Sequence, residues 1–543
     1  MKKYLKSKIS LLALCAITTI SLSGCKKKDN TITVTWWNNY KDPVVDKVDL
    51  EESKKSSTYN EYWFAKDVIA KFEQSHPNIK IEMTYKGGYN DIATEIKNGM
   101  ATGNYPSLAS GYPDNTAVYA ENGITYDVSS LIDDERFGFG KVGSANATYT
   151  TEDDASLYSD DSSTSKSDFS SNFLSIEKTM YSGHLYSMPY SKSSETLLVN
   201  KDMMDKVGAG KAGTDTTTIS KGKVVPSYTA PVAQASKTAY TLDANGDGTV
   251  TFGELVAVGR KAKADFPGVF GSDVNKYEKG LLVAAPIVWD SAENLFITAC
   301  EALGIPYLDA NGSDASKQVL FNNDDAKKVV AYLKTLFDEG IFATKNQLYF
   351  SDESKGYHQY PTQLLHDGKA LAVISSTAGA RYVVDDGYTA DILSVPSFSA
   401  SEMGLTGDKV SLKAISQGPS ITFFQSQGGD VRIPRAAFEF YKFLTNSTNS
   451  AELARKTAYF PLRTSASNTI INEYKNKTSK SDVAVGKMFE LNNSYNEKNC
   501  NFMTQAFTYS AASRTAVGKL IDSVFTGTSV NEAFTTAYTS VVK

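Results

Sequence analysis

The chain has 543 residues, of which 41% are hydrophobic and 22% charged. That ordinary globular composition excludes a disulfide-stapled mini-protein, a coiled coil and a wholly disordered chain, and the length provides core for two or more domains. A formal net charge of −5 argues against a nucleic-acid partner.

The chain opens with Lys2, Lys3, Lys6 and Lys8, then a mostly apolar run, Ile9–Ser21, then Leu22-Ser23-Gly24-Cys25. A basic start, a short apolar segment and small residues before a cut describe a secretory signal over residues 1–24. The Leu-Ser-Gly-Cys ending resembles a bacterial lipobox, which makes Cys25 the lipidated first residue of the mature chain and residues 25–31 a tether. The run falls short of the roughly 20 apolar residues a membrane helix needs, and no later stretch approaches that length. The expected location is extracytoplasmic, lipid-anchored to the outer face of the bacterial cell membrane.

Ile32–Trp37 reads as a first strand, Glu61–Ser75 as a helix with Phe64, Val68 and Phe72 on one face, and Ile79, Ile81 and Met83 as an alternating second strand. Strand, helix, strand predicts an α/β fold with a parallel sheet. Asn146–Asn172 and Gly208–Thr241 are poor in large apolar residues, so both read as polar surface insertions, loops or disordered. Further helices are expected over Asp324–Glu339, with Gly340 just past its end, and over Pro434–Leu444, with Pro at its first position. Of the cysteines, Cys15 lies in the signal, Cys300 sits in an apolar helical run and reads as a buried thiol, and Cys500 remains.

Asp243-Ala244-Asn245-Gly246-Asp247-Gly248-Thr249-Val250-Thr251-Phe252-Gly253-Glu254 fits the twelve-residue EF-hand calcium loop. Asp243, Asn245 and Asp247 supply oxygens, Gly248 makes the turn, the Thr249 carbonyl and Thr251 follow, and Glu254 closes the site. Residues 237–242 do not read as helical, so residues 243–254 form a lone EF-hand-like loop, a structural Ca2+ site ahead of a helix over Thr251–Ala264. An acidic turn capping that helix is the plainer alternative. His76, His184, His358 and His366 show no metal spacing.

Several stretches in order resemble the family 1 extracellular solute-binding proteins of bacterial ABC importers, with the nearest likeness to the sn-glycerol-3-phosphate-binding type. They are Tyr85-Lys86-Gly87-Gly88-Tyr89, Gly103-Asn104-Tyr105-Pro106-Ser107-Leu108, Ser187-Met188-Pro189-Tyr190-Ser191-Lys192-Ser193-Ser194, Trp289 ahead of Glu293-Asn294, Gly368–Ser376, and Lys456-Thr457-Ala458-Tyr459-Phe460-Pro461-Leu462-Arg463. The resemblance implies two α/β lobes, discontinuous in sequence, with a hinged cleft between them. Its expected partition is 32–135 with 416–465 in lobe 1, and 136–415 with 466–543 in lobe 2.

It also implies ligand positions at Tyr89, Ser193, Ser376, Gly418, Tyr459 and Arg514, with Trp289 as a candidate stacking platform. Arg514 matters most for a phosphate, because its planar fork can hold two oxygens. Where the glycerol-phosphate binders carry a Glu, this chain has Pro113 followed by Asp114, and Lys192 replaces a small polar residue. A neutral sugar, an oligosaccharide and a sugar phosphate therefore all remain open. Trp36 and Trp37, at the end of the first strand, are further candidate ligand contacts. The expected function is capture of a carbohydrate or polyol phosphate by a monomer that delivers it to permease subunits. A secreted carbohydrate-active enzyme and a calcium-stabilised adhesin are the competing classes. No Gly-x-Ser-x-Gly, His-Glu-x-x-His or P-loop motif supports catalysis.

Overall fold

The computed structural model describes residues 31–542 apart from 171–172, 175–176, 178–182, 208–215, 221–222, 228–241, 244–248, 273–280, 350–359, 383–388 and 408. Cys25 and the expected signal segment lie outside the described residues. The first sheet has the order Ile79–Tyr85, Ile32–Asn38, Leu108–Gly111, Ser420–Phe423, Ser187–Pro189. Its first three strands run parallel and its last two join by antiparallel pairings. The expected strand-helix-strand unit starts it. Ile32 pairs with Ile79 and Val34 with Ile81, and helix Asn60–Ser75 buries Phe64, Val68 and Phe72. Each such side chain contributes about 1.5–3 kcal/mol when fully buried.

The second sheet repeats the plan in the order Phe342–Thr344, Ile287–Trp289, Ala372–Ser376, Glu195–Asn200, Ala390–Ser394. The first three are parallel, and Glu195–Asn200 is antiparallel to both neighbours. Helix Asp324–Asp338 buries Val329, Val330, Leu333 and Leu336. Asn323 caps it, its Oδ1 accepting from the Ala326 N–H at 2.9 Å, and Gly340 follows at φ +67°. The other predicted helix begins at Arg432, so Pro434 is its third residue. It still sits in the first turn, where its missing N–H breaks no helical bond.

The chain passes between the sheets in two segments, residues 190–194 and 416–419, and residues 458–463 lie against the first of them. Residues 190–194 leave Ser187–Pro189 for Glu195–Asn200, residues 416–419 return to Ser420–Phe423, and residues 458–463 follow helix Ser447–Thr457. Ser193 and Gln417 exchange backbone bonds of 3.0 and 2.8 Å, and the Phe460 N–H donates to the Lys192 carbonyl at 2.7 Å. These bridges are the hinge.

Two expectations are corrected. Residues 136–190 fall with lobe 1, because Ser187–Pro189 pairs into the first sheet and Phe137, Tyr149, Phe169, Leu185 and Met188 enter its core. Residues 146–170 are not a bare loop either. Asp154 and Asp161 each cap a 3-10 turn, Tyr158–Asp160 pairs with Lys141–Gly143, and Ala147, Tyr149 and Phe169 are buried. Few apolar residues suffice there because the largest of them are buried or packed against the core. In the second insertion, Thr216–Ser220 pairs with Lys223–Ser227 as a hairpin.

Candidate functional site

Strand Leu108–Gly111 ends where helix Pro113–Glu121 begins, with Pro113 in its first turn and Asp114 beside it. Ligands in α/β sheets gather at such carboxyl ends of strands. From the other lobe, helix Ser510–Phe525 carries Arg514 in its second turn. Asp114 and Arg514 line one pocket with Tyr112, Gln417, Gly418 and Thr504, around roughly 400 Å³ of space partly open to solvent. Both lobes and one hinge segment thus contribute to it. Gly418 has φ +95°, and a Cβ there would lie 1.9 Å from the Ser191 carbonyl oxygen, so only glycine lets the two crossing segments approach so closely.

The charges in the pocket are balanced. Burial raises the Asp114 carboxyl, and the Arg514 charge opposes that rise. Burial likewise raises the Tyr112 phenol against Arg514. An Arg514 Nη2 donates to Asn294 Oδ1. Asn294 Nδ2 donates to Glu195 Oε1 at 3.0 Å and to Gln417 Oε1 at 3.2 Å. Glu195 is buried, and burial pushes its carboxyl up to about 7 against the hydrogen bonds of Asn294 and Trp289.

Beside the pocket lies a group of tyrosines. The Tyr89 and Tyr112 rings meet edge to face at 5.1 Å. Burial raises the Tyr89 and Tyr459 phenols well above the ordinary value, and the Glu61 charge adds to both. Tyr faces and hydroxyls together suit a ligand with apolar faces and polar edges.

Of the expected ligand residues, the structure brings Asp114, Gly418 and Arg514 to one pocket and sets Tyr89 and Tyr459 beside it. Ser193 and Ser376 bond one another at the hinge, Oγ to Oγ at 3.2 Å. Trp289 is corrected: it is fully buried, stacks on Phe398 at 5.9 Å, and donates Nε1–H to Glu195 at 3.1 Å, so it offers no face to a ligand. Trp36 is also core, its Nε1 on Ser110 Oγ at 3.1 Å, and Lys86 Nζ covers the Trp37 ring at 4.3 Å. Cys300 is a buried free thiol, and so is Cys500.

Glu61, Glu195, Asn294 and Gln417 were missed. A Glu in a helix's first turn, as Glu61 is, reads as an ordinary dipole partner. Only the turn of the chain at 416–419 brings Gln417 to Asn294. Asn245 and Asp247 of the EF-hand-like loop lie outside the described residues. The helix after the loop runs Phe252–Asp265. Glu254 and Thr251 form a capping box, with bonds of 2.9 and 3.1 Å. Among the described residues no group of three or more His, Cys, Asp or Glu is placed to hold a metal.

The family model described as bacterial extracellular solute-binding protein matches residues 67–485. The sn-glycerol-3-phosphate-binding periplasmic protein UgpB of Salmonella typhimurium is 24% identical over 424 residues, 77% of this chain and 75% of that protein. Two solved structures align at TM-score 0.57 over 94% of this chain. One is the cyclic alpha-maltosyl-1,6-maltose binding protein of Arthrobacter globiformis, at 14% identity and 98% of its length. The other is UgpB from Mycobacterium tuberculosis in complex with glycerophosphocholine, at 12% identity and 97% of its length. Both share the two-lobe fold of this chain.

Proposed function

This chain belongs to the bacterial extracellular solute-binding proteins, and we propose that its solute is a carbohydrate or polyol phosphate, held between the lobes and delivered to the permease of an ABC importer. Solute binding, not catalysis, is the work of the family. The observation that carries the ligand class is the meeting of Arg514 from one lobe with Asp114 from the other in one pocket beside Tyr89, Tyr112 and Tyr459. With one N–H on Asn294, the guanidinium keeps further donors for phosphate oxygens. Asp114 accepts from hydroxyls, and the tyrosines cover the apolar faces of a polyol. The names of the relatives support this reading: one protein binds sn-glycerol 3-phosphate and another was solved with glycerophosphocholine.

The test is a thermal-shift series with sn-glycerol 3-phosphate, glycerophosphocholine and maltose. A ligand at 100 times its Kd stabilises the folded state by about 2.7 kcal/mol. A phosphate-bearing compound is expected to raise the melting temperature by several degrees. A shift with maltose alone would overturn the phosphate, and no shift with any of the three would overturn the ligand class.

The same proposal places the chain as a lipoprotein monomer anchored through Cys25. Among the described residues no helix is long and apolar enough to cross a membrane. A structural Ca2+ at Asp243, Asn245, Asp247, Thr249, Thr251 and Glu254 completes it. What supports the ion is the spacing of the loop and a helix that starts at Phe252 with Glu254 in its first turn. Intact mass of membrane-extracted protein is expected to show a diacylglycerol on Cys25. EDTA is expected to lower the melting temperature of the wild type but not of Asp243→Ala. An unmodified Met1 terminus, or equal melting with and without EDTA, would contradict the respective part.

A further inference from the structure

Asn294 occupies the third position of helix Ala292–Leu303, where Ser291 caps its N–H at 3.1 Å. Its side chain is buried, and both ends of its amide are engaged. Oδ1 accepts from Arg514, and Nδ2 donates to Glu195 and to Gln417. A guanidinium only donates, and a carboxylate or amide oxygen only accepts, so a single orientation of the amide satisfies all three neighbours.

Each neighbour belongs to a different part of the machine. Arg514 lines the cleft. Gln417 lies on the crossing segment 416–419 and is backbone-paired to Ser193 on the segment 190–194. Glu195 is the first residue of the strand that segment enters. Its Oε1 also accepts from Trp289 at 3.1 Å, and Trp289 is fixed between aromatic neighbours Phe252 and Phe398. Its Oε2 is buried with no hydrogen-bond partner among the described residues. The carboxylate is therefore held through Oε1 only, by the N–H donors of Asn294 and Trp289. The charged and titratable groups that act on it are Asp290, next along the chain from Trp289, and Arg514 itself. Tyr495 donates its hydroxyl to the Glu195 carbonyl at 3.1 Å.

We propose that Asn294 is a positioning residue that couples the ligand-facing guanidinium of Arg514 to the hinge through Gln417 and Glu195. This rests on Arg514 holding the anionic part of the solute. When the crossing segments rotate, Gln417 moves with them while Glu195 stays in the second sheet, and the amide held between the two turns the guanidinium toward or away from the cleft. Conversely, a phosphate that fixes the guanidinium fixes Asn294, and through it the geometry of Gln417 and Ser193. Binding at Arg514 and lobe closure then favour one another.

The test is a double-mutant cycle on the full chain, read by titration calorimetry with sn-glycerol 3-phosphate. Asn294→Ala, Arg514→Ala and the double variant are compared, with melting curves to follow folding. Coupled residues give strongly non-additive losses, whereas a distant structural effect adds. Asn294→Ala is expected to weaken binding at least tenfold in the wild-type background and less than twofold when Arg514 is already Ala. The half-buried Gln417→Ala, which keeps the Glu195 anchor, is expected to lose severalfold, again only with Arg514 present. It serves if Asn294→Ala does not fold. Equal losses in both backgrounds would overturn the coupling while leaving Arg514 as the anion site. An unchanged affinity of Arg514→Ala would overturn the anion site itself, and the coupling with it.

Discussion

Arg514→Ala is expected to weaken binding of a phosphorylated polyol by about 2–5 kcal/mol, the loss typical when one partner of a buried, hydrogen-bonded charge pair is removed. That is roughly 30-fold to several-thousand-fold in Kd. A phosphate-free analogue is expected to lose far less, because it has no charge to leave unpaired. Arg514→Lys is expected to fall between the two, since an ammonium keeps the charge but not the planar fork. The same truncation leaves Asn294 Oδ1 without its donor, which costs about 1–3 kcal/mol of stability for a buried acceptor. Melting curves measured beside the calorimetry separate that loss from the loss of affinity. Equal weakening of the phosphorylated and neutral compounds would mean that Arg514 only supports the fold.

The second large effect is expected at the hinge. Lys192 and Glu177 are both fully buried. Lys192 Nζ donates to Ser420 Oγ at 2.9 Å, to Glu177 Oε1 at 3.3 Å and to the Gly418 carbonyl at 3.4 Å. Glu177 Oε2 accepts from Ser187 Oγ at 2.8 Å. Ser187, Lys192, Gly418 and Ser420 are the strand ends and crossing segments through which the lobes join, so this pair locks the hinge's lobe 1 side. Glu177→Ala is expected to destabilise the protein by about 3–5 kcal/mol, because it strands a buried ammonium. Pairing the same change with Lys192→Met is expected to recover most of that loss, since no charge is then left behind.

The pH dependence follows from the ammonium. Burial already lowers the Lys192 pKa, and the Glu177 charge opposes that. Without Glu177 the folded-state pKa falls further below its unfolded value. Between that lowered pKa and about pH 10.4 the folded state binds fewer protons than the unfolded one, so stability rises with pH over that window. The Glu177→Ala deficit is expected to be greatest at low pH and to shrink toward pH 10. A melting temperature within a degree of wild type at pH 6 would contradict the lock.

The elements that local pattern defines were legible in the sequence. Ile32, Val34 and Trp36 alternate into the core, and helices Asn60–Ser75 and Asp324–Asp338 present one apolar face each. The resemblance to solute binders carried the two-lobe plan and brought Asp114, Gly418 and Arg514 together. What it could not carry was set by contacts across long sequence separations. Trp289 reads as a platform until Phe252 and Phe398 close over it. Residues 136–190 read as the second lobe because nothing local shows that Ser187–Pro189 pairs with Ser420–Phe423. Lys192 looks like a substitution in a ligand loop, yet its amine points inward to Glu177, fifteen residues earlier. Glu195 carries no motif and Asn294 only follows Trp289 in one; they lie 99 residues apart, and only the sheet pairing and helix packing make them neighbours.

The central claim is that one solute draws two lobes together about the crossing segments 190–194 and 416–419. Small-angle scattering of the protein with and without saturating sn-glycerol 3-phosphate tests it most directly. A smaller radius of gyration with ligand in the wild type, and no change in Arg514→Ala at the same concentration, is the predicted result. Saturable binding of the compound with an unchanged radius of gyration would contradict it.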